Sequence, residues 1–291
     1  MKVLILGAGG LTGRYLVREA GRRGMEAIAL THAELDITRA DSARAVIKKM
    51  KPDWVMNAAA FTRLEDCEDN PLQSRDINAR APAEWAKECG KSGIRFIHLS
   101  TDYVFDGKKN SAYLPSDPVS PLSRYGKDKA EGEKQVLRAN PEALVIRLAW
   151  IFGHGGKTFM SQLPAILADQ EVVELAGDRT GSCTYAGEAA RLILDLTARG
   201  AREIYHAVGS GQVTWKIFAE KTIERMRNRS QGVVCREIRE LSVESIPGLH
   251  ASRPPYSVLD ISMTERFLGR KIPSWEQGLE EYLAEIGLSR I

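Results

Sequence analysis

The chain opens on a continuous apolar run, Val3-Leu4-Ile5-Leu6, which stops at Gly7-Ala8-Gly9-Gly10-Leu11-Thr12-Gly13. From there Leu11, Tyr15, Leu16 and Ala20 recur at helical spacing up to about Arg23, before Gly24. Four apolar residues without polar alternation suit a strand buried on both faces of a parallel sheet. Glycine is required at such a turn for the tight bend, for close backbone approach to a pyrophosphate and for packing helix on strand. The helix N-terminus then turns unpaired N–H groups towards the phosphates. Placed between strand and helix, the pattern predicts dinucleotide binding through Gly7, Gly10, Leu11, Thr12 and Gly13, the competing reading being an ordinary glycine-rich turn.

The same alternation continues. Ala27–Leu30, Asp53–Asn57, Ile94–Leu99 and Ala143–Ile146 read as strands. Helices are predicted from the capping-box pattern Thr38-Arg39-Ala40-Asp41 to about Met50, from Asn70-Pro71 to near Gly90, and from about Arg124 to Ala139. Strand and helix in turn imply an α/β fold, a doubly wound parallel sheet of the Rossmann kind. After Phe152 glycines cluster at 153, 155 and 156, and prolines punctuate the end of the chain. Residues 1–152 are therefore expected to form the dinucleotide-binding domain. Residues 153–291 should form mainly a smaller α/β substrate-binding lobe at the carboxyl ends of the strands, with elements near 184–207 free to rejoin the sheet.

Charge narrows the partners. Forty-one Lys and Arg against 38 Asp and Glu give a formal charge of +3 in 291 residues, too little to recommend nucleic acid or a membrane surface. The apolar start is too short for a signal peptide or a membrane span. Cys67, Cys89, Cys183 and Cys235 show no paired spacing, which predicts reduced thiols in a cytoplasmic protein and no metal site.

At the end of the second strand stand Thr31-His32, where a carboxylate for the adenine ribose of NAD is usual; Glu34 and Asp36 come later. A cofactor 2′-phosphate would meet no repulsion at Thr31, with Arg14 or His32 as its partners, so NADPH and NADH both stay open. Further on, Tyr125 and Lys129 are four residues apart at the start of a predicted helix, hence on one face. A nearby cation favours phenolate and suits general acid–base work on a carbonyl. Among eight tyrosines such a spacing also arises by accident, as a surface pair. Its place one loop after Ser100-Thr101, at the sheet's carboxyl edge, favours the chemical reading.

These residues resemble the extended short-chain dehydrogenases, and within them the dTDP-4-dehydrorhamnose reductase family, almost end to end. The likeness rests on Gly7, Gly10 and Gly13, on Asn57-Ala58-Ala59-Ala60-Phe61-Thr62, and most specifically on Ser100-Thr101-Asp102-Tyr103-Val104-Phe105-Asp106-Gly107. Pro121 with Tyr125, Gly126, Lys129, Gly132 and Glu133 follows, then Arg147 with Trp150 and Gly153, Gly181-Ser182-Cys183-Thr184, and Arg253-Pro254. The resemblance implies reduction of a sugar C4 ketone by NADPH or NADH, with a nucleotide sugar as substrate. It makes Tyr125 the proton donor, Lys129 the holder of the nicotinamide ribose and Thr101 the group polarising the carbonyl. Asp102 and Trp150 would contact the sugar, with Asn78 and Arg253 further substrate-side candidates. Asp36 and Ile37 would approach the adenine, and Ala58, Ala59 and Ala60 would run beside the cofactor. A homodimer stays open, since some members form one through magnesium.

Cys183, Arg179 and Tyr256 depart from the family's usual proline, glutamine and asparagine. Three other readings remain: Trp150 as a core residue, Arg253 as an exposed loop arginine, and Asp102 as a shaper of the turn. At the level of function, an epimerase or dehydratase of the same superfamily and a non-catalytic NADP-binding regulatory subunit stand as alternatives.

Overall fold

A computed structural model describes residues 1–39 and 41–288. The chain runs β1 (Lys2–Leu6), α1 (Leu11–Arg22), β2 (Glu26–Leu30), α2 (Ser42–Met50), β3 (Trp54–Asn57), α3 (Leu64–Asp69), α4 (Pro71–Arg75), a π-helical turn (Asp76–Arg80), α5 (Ala81–Lys91), β4 (Arg95–Thr101), α6 (Arg124–Ala139) and β5 (Leu144–Leu148). It continues through β6 (Ile151–Phe152), α7 (Phe159–Asp169), β7 (Val172–Ala176), β8 (Thr180–Gly181), β9 (Thr184–Tyr185), α8 (Ala186–Ala198) and β10 (Glu203–His206). The last elements are β11 (Val213–Thr214), α9 (Trp215–Asn228), β12 (Glu237–Leu241), β13 (Tyr256–Ser257), α10 (Ser262–Leu268) and α11 (Trp275–Leu288).

Six strands form one sheet in the order β10-β5-β4-β3-β1-β2, every pair parallel. The Rossmann-type α/β expectation holds, because β1, β3, β4 and β5 are buried along almost their whole length and helices cover both faces. One core joins the sheet to α1, α7, α8, α9 and α11, and the other joins it to α2, α5 and α6. The chain passes from β1 out to β2 and back to β3, so the switch point lies between β1 and β3, where such sheets bind ligands. The later short strands form small sheets of their own (β11-β8-β13, β12-β7 and β6-β9), while β10 joins the main sheet beside β5.

Two predicted helices differ in detail. Thr38 does not cap α2: its hydroxyl and N–H both go to Asp36 Oδ1, at 2.7 and 2.9 Å, and the helix starts after Asp41 in a left-handed conformation. Ala40 of that capping-box pattern lies outside the described residues. The helix expected from Asn70 to near Gly90 is broken by the π-helical turn. Pro82 has no N–H to give the Asn78 carbonyl four residues earlier. That carbonyl instead faces Gly132 of α6, where a Cβ would stand 2.3 Å from it. Among the described residues no helix is long and apolar enough to cross a membrane, and all four cysteines are free and buried.

Candidate active site

The ends of β1, β3, β4 and β5 converge on a cavity of about 420 Å³. Gly7 bends the chain after β1 at φ +73°, and a Cβ there would come 2.6 Å from the Ala59 backbone. A Cβ on Gly13 would stand 2.2 Å from the Gly7 carbonyl. At Gly7 and Gly13 the turn is therefore packed backbone to backbone, with no room for a side chain. Helix α1 begins without a side-chain cap, leaving its first-turn N–H groups for a ligand. Gly10, Leu11 and Thr12 line the cavity with Ala58 and Ala60. A side-chain-free cradle ending in an uncapped helix fits a dinucleotide pyrophosphate.

Strand β4 delivers Thr101 and Asp102, and α6 delivers Tyr125 and Lys129, into the same cavity. Ser123 caps α6 by accepting from the Gly126 N–H at 3.1 Å, which fixes where the Tyr125 turn begins. The Thr101 hydroxyl donates to Asp102 Oδ1 at 3.1 Å and accepts from the Tyr103 N–H at 3.2 Å. Asp102 is almost wholly buried, and its Oδ2 has no hydrogen-bond partner among the described residues. Burial raises its carboxyl to about 7, against the pull of the Ser257 and Thr101 hydroxyls, the former near without completing a hydrogen bond. Burial also raises the Tyr125 phenol, the Thr101 hydroxyl being the first group to oppose it.

Tyr125 and Lys129 line one cavity, as expected, but the expected lowering of the phenol by the ammonium does not appear, burial being the dominant influence on it. Lys129 Nζ donates to the Leu99 carbonyl at 2.6 Å and lies 3.1 Å from His98 Nε2. Burial lowers Lys129 to about 8, with Glu133 one turn on pulling the other way. His98 in turn meets the Asn57 amide at 3.2 Å, and its pKa is held well below the ordinary value by burial and then by Lys129. Glu133 is itself matched by Arg147 at 2.7 Å and by the Ser100 hydroxyl at 2.5 Å.

Trp150 adopts φ +38°, a rare conformation for an L residue, and this turn directs the chain so that the indole lines the cavity. It is half-buried and meets Trp215 edge to face at 6.0 Å; Trp215 stacks on Phe159 at 5.0 Å. Phe159 and Trp215 went unseen in the sequence because they come from α7 and α9, far along the chain, with no local pattern to mark them. His98 was equally hidden inside an apolar strand, and Asn57 entered only as the start of the Asn57–Thr62 segment, with no role of its own.

Other expected site residues stand outside the cavity lining. Thr31 follows β2, with its methyl group 3.5 Å from where a Cβ on Gly9 would be. Its N–H and hydroxyl both bond Glu34, at 2.8 and 2.7 Å, so a carboxylate does sit at this strand end. The expected lack of repulsion there is corrected accordingly. Asp36 is committed to Thr38, and Ile37 packs in the core with its carbonyl accepting from Trp85 Nε1 at 3.3 Å. Asn78 is fully buried, and its amide holds both backbone groups of Phe61, at 3.0 and 2.8 Å. It lies behind the site wall because its polar atoms are already used. Arg253 pairs with Glu65 at 2.7 Å and its side chain is only 9% exposed, unlike a free loop arginine.

The model of the RmlD substrate binding domain family matches residues 1–288. The Bacillus subtilis (strain 168) spore coat polysaccharide biosynthesis protein SpsK is 33% identical over 284 residues, 98% of this chain and 97% of that protein. A crystal structure of a dTDP-4-dehydrorhamnose reductase from Clostridium acetobutylicum superposes with TM-score 0.92 at 30% identity, covering 99% of this chain and 100% of the other. The dTDP-4-dehydrorhamnose reductase from Bacillus anthracis, solved in complex with NADP, gives TM-score 0.89 at 27% identity over 98% and 99% of the two chains.

Proposed function

Since this chain belongs to the RmlD substrate binding domain family, we propose that it uses NADPH or NADH to reduce the C4 ketone of a dTDP-4-keto-6-deoxyhexose, namely dTDP-4-dehydrorhamnose to dTDP-L-rhamnose. The observation that carries this reading is one cavity bounded by the uncapped glycine turn, by Thr101, Tyr125 and Lys129, and by the Trp150 wall. That placement supports the roles below for the lining residues, and the family resemblance supplies the others.

Gly7, Gly10, Leu11, Thr12 and Gly13 hold the pyrophosphate by backbone, with Ala58, Ala59 and Ala60 alongside and Thr31, Asp36 and Ile37 towards the adenine. When bound, the nicotinamide supplies the hydride. Thr101 turns its hydroxyl from Asp102 to the sugar carbonyl and polarises it. Tyr125 protonates the oxygen that becomes the alcohol, and its raised pKa keeps it in the donor form. Lys129 holds the nicotinamide ribose. Asp102 and Trp150 hold the sugar, the indole excluding water from one face. Asn78 serves through the Phe61 backbone, and Arg253 stands at the substrate side beside Glu65. Residues 1–152 act as the dinucleotide-binding unit and 153–291 mainly as the substrate lobe. A cytoplasmic location and a homodimer, checked by light scattering, belong to the same reading.

The test is net oxidation of NADPH with dTDP-4-keto-6-deoxymannose. Steady consumption with a deoxysugar product supports the reductase. Interconversion of nucleotide sugars without net consumption would instead support an epimerase, and NADPH binding without turnover of any keto sugar a regulatory subunit.

A further inference from the structure

Lys129 ends a hydrogen-bond chain whose direction is fixed at its far end. The Ala59 N–H can only donate, and it lies 3.2 Å from Asn57 Oδ1. That contact orients the Asn57 amide, so its NH2 faces His98 Nδ1 at 3.2 Å. An amide nitrogen only donates, so Nδ1 carries a lone pair and the neutral ring bears its proton on Nε2. Nε2–H then points at Lys129 Nζ, 3.1 Å away. Nζ accepts a hydrogen bond only as a neutral amine, since an ammonium has no acceptor. With an ammonium, two donors would oppose each other at Nε2. Changing the histidine tautomer moves that clash to Asn57, and flipping Asn57 moves it to Ala59. Asn57, His98 and Lys129 are all buried, so solvent does not relieve it.

We propose that Asn57 and His98 are positioning residues that hold Lys129 as the neutral amine in the free protein, and that dinucleotide binding draws Nζ off His98 and makes it take up one proton from solvent. The inference rests on the reading above that Lys129 holds the nicotinamide ribose, whose hydroxyls accept from an ammonium. The surroundings agree. From β4, Lys129 faces His98 and the Leu99 carbonyl, which accepts from either form. On its own helix it has the Tyr125 phenol one turn before and Glu133 one turn after, the latter already matched by Arg147. Burial independently favours the neutral amine. A positive charge that arrives with the cofactor would favour ionisation of Tyr125 only in a loaded site.

Two measurements test this. Calorimetry of NADPH binding, in buffers of different ionisation enthalpy near pH 8, counts protons; at about that pH the cofactor's 2′-phosphate is already ionised. Uptake of more than half a proton is expected, since burial alone brings Lys129 to about 8 and the His98 contact disfavours the ammonium further. In Asn57→Asp one oxygen still accepts from Ala59, the other accepts from His98 Nδ1–H, and Nε2 becomes an acceptor for an ammonium. Uptake should fall clearly below that of the natural protein, with binding retained, because only the burial contribution remains. Binding without uptake in the natural protein, or equal uptake in the variant, overturns the proposal. Nitrogen-15 NMR of His98 in the free protein needs no cofactor and no variant: an Nε2–H tautomer supports the chain, and an Nδ1–H tautomer overturns it. Failure to bind NADPH at all would instead remove the dinucleotide reading, and the coupled uptake with it.

Discussion

The Trp150 indole lies directly over Gly181, so close that a Cβ added to the glycine would stand 2.7 Å from indole Cζ2. The indole is thus seated by the absence of a side chain on β8 as much as by the left-handed backbone at its own position. Gly181→Ala should tilt the ring into the cavity and lower kcat/KM for the keto sugar by roughly 10–100-fold, the scale of a misplacement near 1 Å. NADPH affinity should stay within about twofold. Unchanged kcat/KM in the folded variant would mean that Trp150 does not position the sugar.

Tyr125→Phe keeps the ring and removes the hydroxyl. Turnover should fall by about two to four orders of magnitude, as for loss of a general acid, while the Kd for NADPH barely moves. A variant turning over at near-normal rate would remove Tyr125 from the proton-donor role.

Glu34 brings a carboxylate to the end of β2 through its two bonds to Thr31, which also lower its pKa, so it is charged at neutral pH. A charge there discourages a 2′-phosphate. Glu34→Gln should therefore shift the ratio of kcat/KM values towards NADPH, by roughly three- to tenfold given full solvent screening. An unaltered ratio would show that the 2′-position lies elsewhere.

Asp102 gives a pH signature. Its folded-state pKa, raised to about 7 by burial, lies above the ordinary carboxylate value. The folded protein therefore binds the extra proton between about pH 4 and 7, and this contribution to stability is lost as pH rises through that window. Asp102→Asn carries no such cost. Its melting temperature relative to the natural protein should rise between pH 5 and pH 8, on the order of a few kcal/mol in stability. An offset that does not change with pH would place the Asp102 pKa near its ordinary value.

How much of this was legible in the chain follows from range. The Gly7–Gly13 turn and the Tyr125–Lys129 spacing are local, set by neighbours a few residues away, and both emerge where the residues suggested. The fold of Glu34 back onto Thr31 is also local, yet it depends on a turn geometry that residue types alone do not select. Phe159 and Trp215 reach the cavity only through packing of α7 against α9, which no short pattern encodes. Asn78 is a substrate-side candidate through the family resemblance alone, which carries no information on what its amide bonds in this chain. In the fold its amide holds both part-buried backbone groups of Phe61, seventeen residues earlier.

Lys129 sits midway between two glycines that each press against a foreign carbonyl. A Cβ at Gly126 would stand 2.2 Å from the Tyr103 oxygen, and one at Gly132 would stand 2.3 Å from the Asn78 oxygen. These contacts act as a pair of detents: α6 can neither slide along its axis nor roll without driving backbone into backbone. The Tyr125–Lys129 side of the cavity is thereby a rigid jaw. Any adaptation to a bulkier or differently configured sugar has to come from the opposite jaw, where Trp150, Phe159 and Trp215 meet only through side chains and can be exchanged one at a time.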